Sequence, residues 1–396
     1  MKIKSIRQIK NLKDQIVLLR VDFNVPIKDR KVRENYKIAM SLPTIEYLLK
    51  KGARVVLMSH LGAPKGKVNP DLSLLPVSKV LQKLLSSQAY KKKIKFSSGV
   101  VGAKVAKEVN DLKSGDLILL ENLRFEIGEE KNSRIFAKKL ASLGDLYVND
   151  AFAVSHRNQA SVSEIKNFLP SYAGLLLEDE VTSLAKVIKP KQPLVAVMGG
   201  AKIDTKAPLL EKMHKKAECI LVGGALANNF LKALGYEVGI SLIDKSSLVF
   251  AKKFIKNGKL DKKIILPMDV VVLNAGKVFV RPISDLKERD AIADIGPKTV
   301  EAFAATIKTA ATIIWNGPMG CFEEKESSFG TLAIGRLIAA RSKGTAWGVV
   351  GGGETVEAIK LTKMSAYVDW ISTAGGAMLA YLGGEKMPGL TKIVSK

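Results

Sequence analysis

The chain is poor in the side chains that build disulfides, zinc centres and nucleophile–base triads: its 396 residues include two cysteines and three histidines. Cys219 and Cys321 lie far apart, each in an apolar stretch. No disulfide framework is expected, and both read as buried, inert thiols in a reducing compartment. Three histidines leave little for a triad or a zinc site, and no G-x-S-x-G elbow is present. No run reaches the ~18 consecutive apolar residues of a membrane span. The opening Met1-Lys2-Ile3-Lys4-Ser5 has no apolar signal core, and Ile393-Val394-Ser395-Lys396 matches no retention or peroxisomal address. A cytoplasmic location without membrane attachment is therefore expected. A P-loop is also missing: Gly62-Ala63-Pro64-Lys65-Gly66-Lys67 is one residue short and lacks the hydroxyl after the lysine. Neither an H-R-D loop nor a D-F-G triplet occurs.

The composition that remains is that of a folded chain, 47% hydrophobic and 26% charged, long enough for two domains. A formal net charge of +25 favours anionic partners, phosphorylated metabolites and nucleic acids among them. The lysines are spread along the sequence, and the densest run, Lys91-Lys92-Lys93-Ile94-Lys95, contains no arginine and only Tyr90 and Phe96 as aromatic neighbours. A solvated lysine-rich surface is the reading preferred for it, and nucleic acid is not expected as a specific partner.

Short, continuous apolar runs alternate with longer helix-like segments. They are Ile16–Val21, Arg54–Met58, Leu117–Leu120, Leu146–Val148, Leu194–Met198, Ile220–Val222, Ile264–Leu266, Thr312–Trp315, Gly348–Val350 and Tyr367–Ile371. Runs that are apolar throughout suit strands buried on both faces of a parallel sheet, and the alternation suits βαβ units. Leu175–Lys189 spaces its apolar residues for one helix face and is stopped by Pro190 and Pro193. The expected fold class is α/β, two doubly wound, Rossmann-like parallel sheets joined by that linking helix, with a cleft between them. The expected domains are 1–174, a linking helix over 175–189, and 190–374.

The residues just past the strands differ between the halves. In the first half, strand ends supply Asp22, Asn24, His60, Arg124 and Arg157, an anion site with groups that can read hydroxyls. In the second half they are glycine-rich: Gly199-Gly200-Ala201-Lys202, Gly223-Gly224, Asn316-Gly317-Pro318, Gly351–Thr355 and Ala374-Gly375-Gly376. Glycines there let backbone amides approach phosphate oxygens, and a helix beginning just afterwards adds its positive end. One half grips a small anion and the other a nucleotide, which points to phosphoryl transfer. That chemistry depends on positioning and charge cancellation, and an acceptor that is already an anion requires no general base.

The stretches Arg20-Val21-Asp22-Phe23-Asn24-Val25-Pro26, Met58-Ser59-His60-Leu61-Gly62, Leu120-Glu121-Asn122-Leu123-Arg124-Phe125 and Asn149-Asp150-Ala151-Phe152 with His156-Arg157 resemble the phosphoglycerate kinase family. So do Gly199–Lys202, Asp294–Thr299, Trp315–Pro318, Gly351–Thr355 and Ser372-Thr373, all in family order. The resemblance implies reversible, Mg2+-dependent transfer between 1,3-bisphosphoglycerate and ADP, giving 3-phosphoglycerate and ATP in glycolysis or gluconeogenesis. It also implies a monomer, closure of two domains, and a segment 375–396 returning to the first domain. Asp22, Asn24, Lys37, His60, Gly62, Ala63, Arg124 and Arg157 then fall at acid-binding positions. Gly200, Ala201, Lys202, Lys206, Gly224, Ala293, Asn316, Pro318, Glu323, Gly352, Gly353, Glu354 and Thr355 fall at nucleotide-binding positions. Lys37, Lys206, Gly352 and Gly376 fall at catalytic positions, with Glu354 beside the metal.

Two departures lie on the acid side. Counting back from Pro43-Thr44-Ile45 places Lys37 where the family carries an arginine, and Ala63 replaces an arginine after His-Leu-Gly; Lys65 is close in sequence. Lysine keeps the charge but loses the bidentate fork. Ala293, Glu354 and Ala374 are smaller departures. The acid site is therefore expected to be re-tuned. The rival readings are a kinase for a related small acid and a basic polyanion-binding protein with reduced or lost catalysis.

Overall fold

A computed structural model describes residues 2–88, 90–201 and 206–395. The chain divides into two compact units, Met1–Val181 with Lys386–Lys396, and Thr182–Glu385. The division falls within the helix Leu175–Ile188. The segment 375–396 is itself divided, with the helix Gly375–Gly383 in the second unit and Lys386–Lys396 in the first.

In the first unit six strands form one parallel sheet: β1 (Ile16–Arg20), β2 (Arg54–Met58), β3 (Lys95–Phe96), β4 (Leu117–Leu119), β5 (Leu146–Asn149) and β6 (Ser171–Ala173). Their order is β3-β4-β2-β1-β5-β6, so β2, β3 and β4 lie on one side of β1, with β4 inserted between β2 and the edge strand β3, and β5 and β6 lie on the other. β1 is buried at every residue, pairing Leu19 with Leu57 and Val148. The apolar runs are continuous because helices cover both faces. Leu19, Val21, Leu57, Leu119 and Val148 share one core with Leu81 and Leu85 of the helix Leu75–Ser87.

The second unit carries β7 (Leu194–Met198), β8 (Cys219–Val222), β9 (Ile264–Ile265), β10 (Asp269–Asn274), β11 (Lys277–Pro282), β12 (Ala291–Ile295), β13 (Thr312–Asn316), β14 (Trp347–Val350) and β15 (Trp370–Ile371). Its parallel sheet runs β9-β8-β7-β13-β14-β15, the strand order of dinucleotide-binding folds, with the reversal between β7 and β13. The two strands at that reversal pair in register from Leu194 with Thr312 to Met198 with Asn316. Trp315 is wholly buried in the core, and its indole Nε1–H donates to Gly317 O at 2.8 Å.

β10, β11 and β12 form a separate antiparallel sheet that the apolar-run reading passes over. β11 is largely exposed and carries Lys277 and Arg281. The hairpin has a local signal all the same: Asn274 faces Lys277 across Ala275 and Gly276, whose φ angles are 48° and 72°. Positive φ at both central residues is the type I′ geometry of a two-residue hairpin. The short strands β3 and β6, with two and three residues, are equally hard to see in the sequence. The thiols also correct an expectation. Cys219 is partly buried and Cys321 exposed, because Cys321 stands in a turn beyond β13 and not inside an element. Partial burial, then Glu323, Asp294 and Glu324, push the Cys321 thiol above its ordinary pKa, so its thiolate is disfavoured.

Asp150, just after β5, caps the start of the helix Leu175–Ile188 by accepting from Leu177 N at 3.2 Å. Burial pushes its carboxyl up to about 7, against the opposing effects of the Thr44 hydroxyl and the Leu177 and Leu176 amides. The folded chain therefore holds a proton there that the unfolded chain releases near its ordinary value of ~3.9. Stability falls as pH rises from about 4 to about 7. Asp150→Asn is expected to flatten that fall and to raise the urea midpoint at about pH 8, by an amount worth up to a few kcal/mol. Urea denaturation of both proteins across pH checks this; an unchanged pH dependence would contradict it.

Candidate active site

Polar groups of the first unit gather where β1, β2 and β4 end. Arg20, the last residue of β1, is wholly buried. Its Nε donates to Ser161 Oγ at 2.9 Å, and Ser161 donates in turn to the buried Glu129 carboxylate at 2.6 Å. One terminal nitrogen of Arg20 donates to Val21 O, and the other lies 3.2 Å from His60 Nδ1. A guanidinium can only donate, so Nδ1 is the acceptor and Nε2 carries the hydrogen of a neutral ring. Burial, then Arg20, holds His60 well below the ordinary imidazole pKa. Asp22 opposes this, and Arg124 and Arg157 add to it.

Asp22 lies beside this ring. Its Oδ1 is 3.9 Å from His60 Nδ1 and accepts from Asn24 N at 3.2 Å, while Lys37 Nζ donates to Oδ2 at 2.8 Å. Burial alone would raise the Asp22 carboxyl. Lys37, then His60 and Arg20, outweigh it and hold the group below its usual range. Lys37 is thus the cation at this point of the site. Arg33, the nearest arginine in sequence, pairs with Asp29 at 2.8 Å on the surface.

Loop-to-loop bonds bring in the remaining residues. Asn24 Oδ1 accepts from Gly62 N at 3.0 Å, and Arg124 donates to Gly62 O at 2.5 Å. Asn122 ties the same loops together, accepting from Leu61 N and Arg124 N, both at 3.1 Å. Gly62 sits at φ 60°, where a Cβ would meet Leu72 at 2.8 Å, so glycine is required. Arg124 is 5% exposed, and burial followed by Arg157 lowers its pKa. Arg157 itself is exposed, as are Ala63 and Lys65. Asp22, Asn24, Lys37, Gly62 and Arg124 therefore form one hydrogen-bonded cluster, with His60 beside it and bonded to Arg20, and Arg157 acting through charge. Arg20 is not among the expected site residues, although it stands inside the motif that reveals Asp22 and Asn24.

In the second unit the site lies at the strand reversal. Gly199 N donates to Asn316 O at 3.0 Å and Gly200 N to Pro318 O at 2.8 Å, closing the ends of β7 and β13 on each other. The approach leaves no room for side chains: a Cβ on Gly199 would lie 2.0 Å from Pro318 O. Lys206 Nζ donates to Gly199 O, and the same nitrogen would lie 2.7 Å from a Cβ on Gly200 or Gly317. Burial lowers the Lys206 ammonium to about 8, with the Glu354 carboxylate opposing. Lys202 lies outside the described residues.

Two helix starts flank this point. Gly352, at φ 103°, caps the helix Gly353–Leu361, and the helix Gly375–Gly383 begins where a Cβ on Gly375 would lie 3.1 Å from Gly352 Cα. Nothing stands within 4 Å of a Cβ on Gly353 or Gly376, and both residues are exposed. Thr355 is buried and accepts from Gly317 N at 2.7 Å, while Asn316 donates to Gly351 O at 2.6 Å. Beside these turns a cavity of about 170 Å³ is lined by Gly200, Ala201, Gly224, Ala293, Pro318, Glu323 and Glu354 among others. Asn228, Leu242, Ile292 and Met319 also line it and are not among the expected site residues; Leu242 and Ile292 come from segments with no phosphate-loop signal, whereas Asn228 and Met319 follow the Gly223-Gly224 and Asn316-Gly317-Pro318 turns. The cavity combines apolar lining from Leu242, Ile292, Ala293 and Met319 with the carboxylates of Glu323 and Glu354.

A family model described as phosphoglycerate kinase matches residues 6–385. The chain is 42% identical over 391 residues to the phosphoglycerate kinase of Moorella thermoacetica, covering 97% of this chain and 98% of that protein. It is 43% identical over 399 residues to that of Thermosipho africanus, at 99% and 98% coverage. The chain belongs to the phosphoglycerate kinase family. The solved structure of phosphoglycerate kinase from Coxiella burnetii superposes with a TM-score of 0.86 at 36% identity, over 98% of each chain. That from Pyrococcus horikoshii gives 0.83 at 30% identity, again over 98% of each chain. Membership agrees with the two-sheet α/β fold and with the family resemblance read from the motifs.

The Arg20 contact makes the state of His60 measurable. Ring 15N shifts are expected to report His60 still neutral and protonated at Nε2 well below the ordinary imidazole value of ~6.5. In Arg20→Met the ring should begin to titrate at higher pH. A protonated or Nδ1–H ring in the unaltered protein at pH 7 would contradict the assignment.

Proposed function

We propose that this chain is a phosphoglycerate kinase, catalysing reversible phosphoryl transfer between 1,3-bisphosphoglycerate and ADP to give 3-phosphoglycerate and ATP. The observation carrying this reading is the gathering of Asp22, Lys37 and Arg124, with His60 beside Asp22, in a chain of this family. Arg124 and Arg157 offer charge-assisted bonds to a phosphate, and His60 Nε2–H offers a neutral donor. Ionised Asp22 accepts from a hydroxyl, with Asn24 beside it. The acceptor is a carboxylate, so the reaction needs no base, and the site supplies none: His60 has its Nδ1 directed at Arg20.

On the nucleotide side Leu242, Ile292, Ala293 and Pro318 would face the base, and Glu323 the ribose. The amides of Gly352, Gly353 and Gly376 would meet phosphate oxygens, with Thr355 supporting the turn. Lys206, and Lys202 by family position, would accompany the phosphates, and Lys37 would offset charge on the transferring group. Among the described residues no group of three or more metal-ligating side chains occurs. That donor set fits a Mg2+ brought by the nucleotide, since magnesium binds through substrate phosphates and one or two carboxylates. Glu354, by family position, would be the carboxylate that serves it, and the ion would neutralise phosphate charge there. A cytoplasmic monomer is part of the same reading. No helix of the described residues is long and apolar enough to cross a membrane.

Steady-state kinetics in a coupled assay with 3-phosphoglycerate and MgATP tests the proposal. Turnover is expected with this pair, and Lys37→Met should lower kcat by roughly 10²–10³, the scale of losing one transition-state donor. Lys37→Arg combined with Ala63→Arg should raise kcat/KM above the starting value, because the fork geometry returns. No turnover with this pair, or turnover indifferent to Lys37, would overturn the assignment.

A further inference from the structure

The densest lysine run of the sequence is not used by either half-site, and the fold gives it a definite place. The helix Leu75–Ser87 presents Lys79 and Lys83, one turn apart, and the segment entering β3 presents Lys91, Lys92, Lys93 and Lys95. Together they line a groove of about 1150 Å³ along the edge of the first unit's sheet. A second cavity of about 480 Å³ shares Lys91 and Lys92 with it and continues to Lys50. The two form one basic track.

Part of this charge is already answered. Lys92 and Lys95 lie 2.8 and 3.7 Å from the Asp116 carboxylate, and Lys50 lies 3.6 Å from Glu46. Among the described residues Lys79, Lys83, Lys91 and Lys93 have neither an ion pair nor a side-chain hydrogen bond. Glu108 and Asp111 also line the groove; Glu108 lies 4.0 Å from Lys104, and the Asp111 carbonyl accepts from Lys95 Nζ at 3.4 Å. An anion would therefore meet chiefly the four free lysines.

We infer that this track binds an extended chain of phosphate groups, with inorganic polyphosphate as its occupant. Separate ammonium groups strung along a groove answer a repeating charge, whereas one phosphate would meet only one or two of them. The aromatic side chains decide against a single-stranded nucleic acid. Phe96 and Tyr90 both pack on the core, and the Tyr90 hydroxyl donates to Gly115 O at 3.2 Å, so neither ring is free to stack on a base. The track contains no arginine to fork onto a guanine edge or a single phosphate. β3 is the edge strand, with β4 and β2 between it and β1, and none of the acid-site residues lines either cavity.

The test is calorimetric titration of the whole protein with short-chain polyphosphate, with 3-phosphoglycerate and Mg-nucleotide present at saturation. Binding is expected, weakening steeply with salt. The variant Lys79→Glu/Lys83→Glu/Lys93→Glu should lose at least ~10-fold in affinity and about two in the slope of log affinity against log salt. Its kinase turnover should remain that of the parent. The milder Lys79→Gln/Lys83→Gln/Lys93→Gln variant should show an intermediate loss, which separates charge from any disturbance of folding. Polyphosphate affinity unchanged in both variants, displacement by the two substrates, equal affinity for inorganic phosphate, or tighter binding of an oligothymidylate of equal charge would each overturn the inference.

Discussion

Parallel strand pairing with helices on both faces is the constraint on which the rest of this structure depends. A strand such as Ile16–Arg20 is buried on both sides, so it can present polar groups only beyond its carboxyl end. Both units obey this rule: Asp22, Asn24, His60, Gly62 and Arg124, and the glycine turns of the second unit, stand at or near such ends, while Lys37 reaches Asp22 from the helix Tyr36–Met40. The sheet order then decides which ends adjoin. In the second unit the reversal between β7 and β13 places Gly199-Gly200 against Gly317-Pro318. In the first unit β2 lies next to β1, which brings His60 to Asp22.

From that constraint come two ways of holding negative charge. The first unit uses side chains, and buried cations there must be answered. Arg20 is answered through Ser161 and Glu129, and Asp22 is held ionised chiefly by Lys37. The second unit gathers glycines at its strand ends, several of them where a side chain would collide, as at Gly199, Gly200 and Gly317. Side-chain cations suit a small acid whose charge and hydroxyl must be read. Amide cradles suit phosphates that recur in every nucleotide.

Much of this is legible in the sequence because the relevant signals are local. Strands that are apolar throughout announce burial on both faces, and a polar or glycine cluster right after such a run announces a strand end. That logic reaches Asp22, His60, Arg124, Gly200, Asn316 and Gly352. It does not reach Ile292, which lines the cavity beside the glycine turns because an antiparallel sheet folds next to it, nor Leu242 from a connecting loop. The edge strand Lys95–Phe96 is two residues long and carries no period. The buried role of Arg20 is hidden as well, since an arginine ending a strand reads as solvent-facing until its partner Glu129 is seen in space. The exposure of Cys321 escapes the sequence for a related reason: apolar neighbours along the chain do not bury a residue placed in a turn.

The central claim is a division of labour, with the acid held by strand-end side chains of the first unit and the nucleotide by strand-end backbone of the second. Calorimetric binding of 3-phosphoglycerate and of MgADP to Arg124→Met measures it directly. The account expects affinity for the acid to fall at least ~10-fold, a charge-assisted contact being worth about 1.5–3 kcal/mol, with MgADP binding unchanged. Unchanged acid affinity, or an equal loss for both ligands, would contradict it.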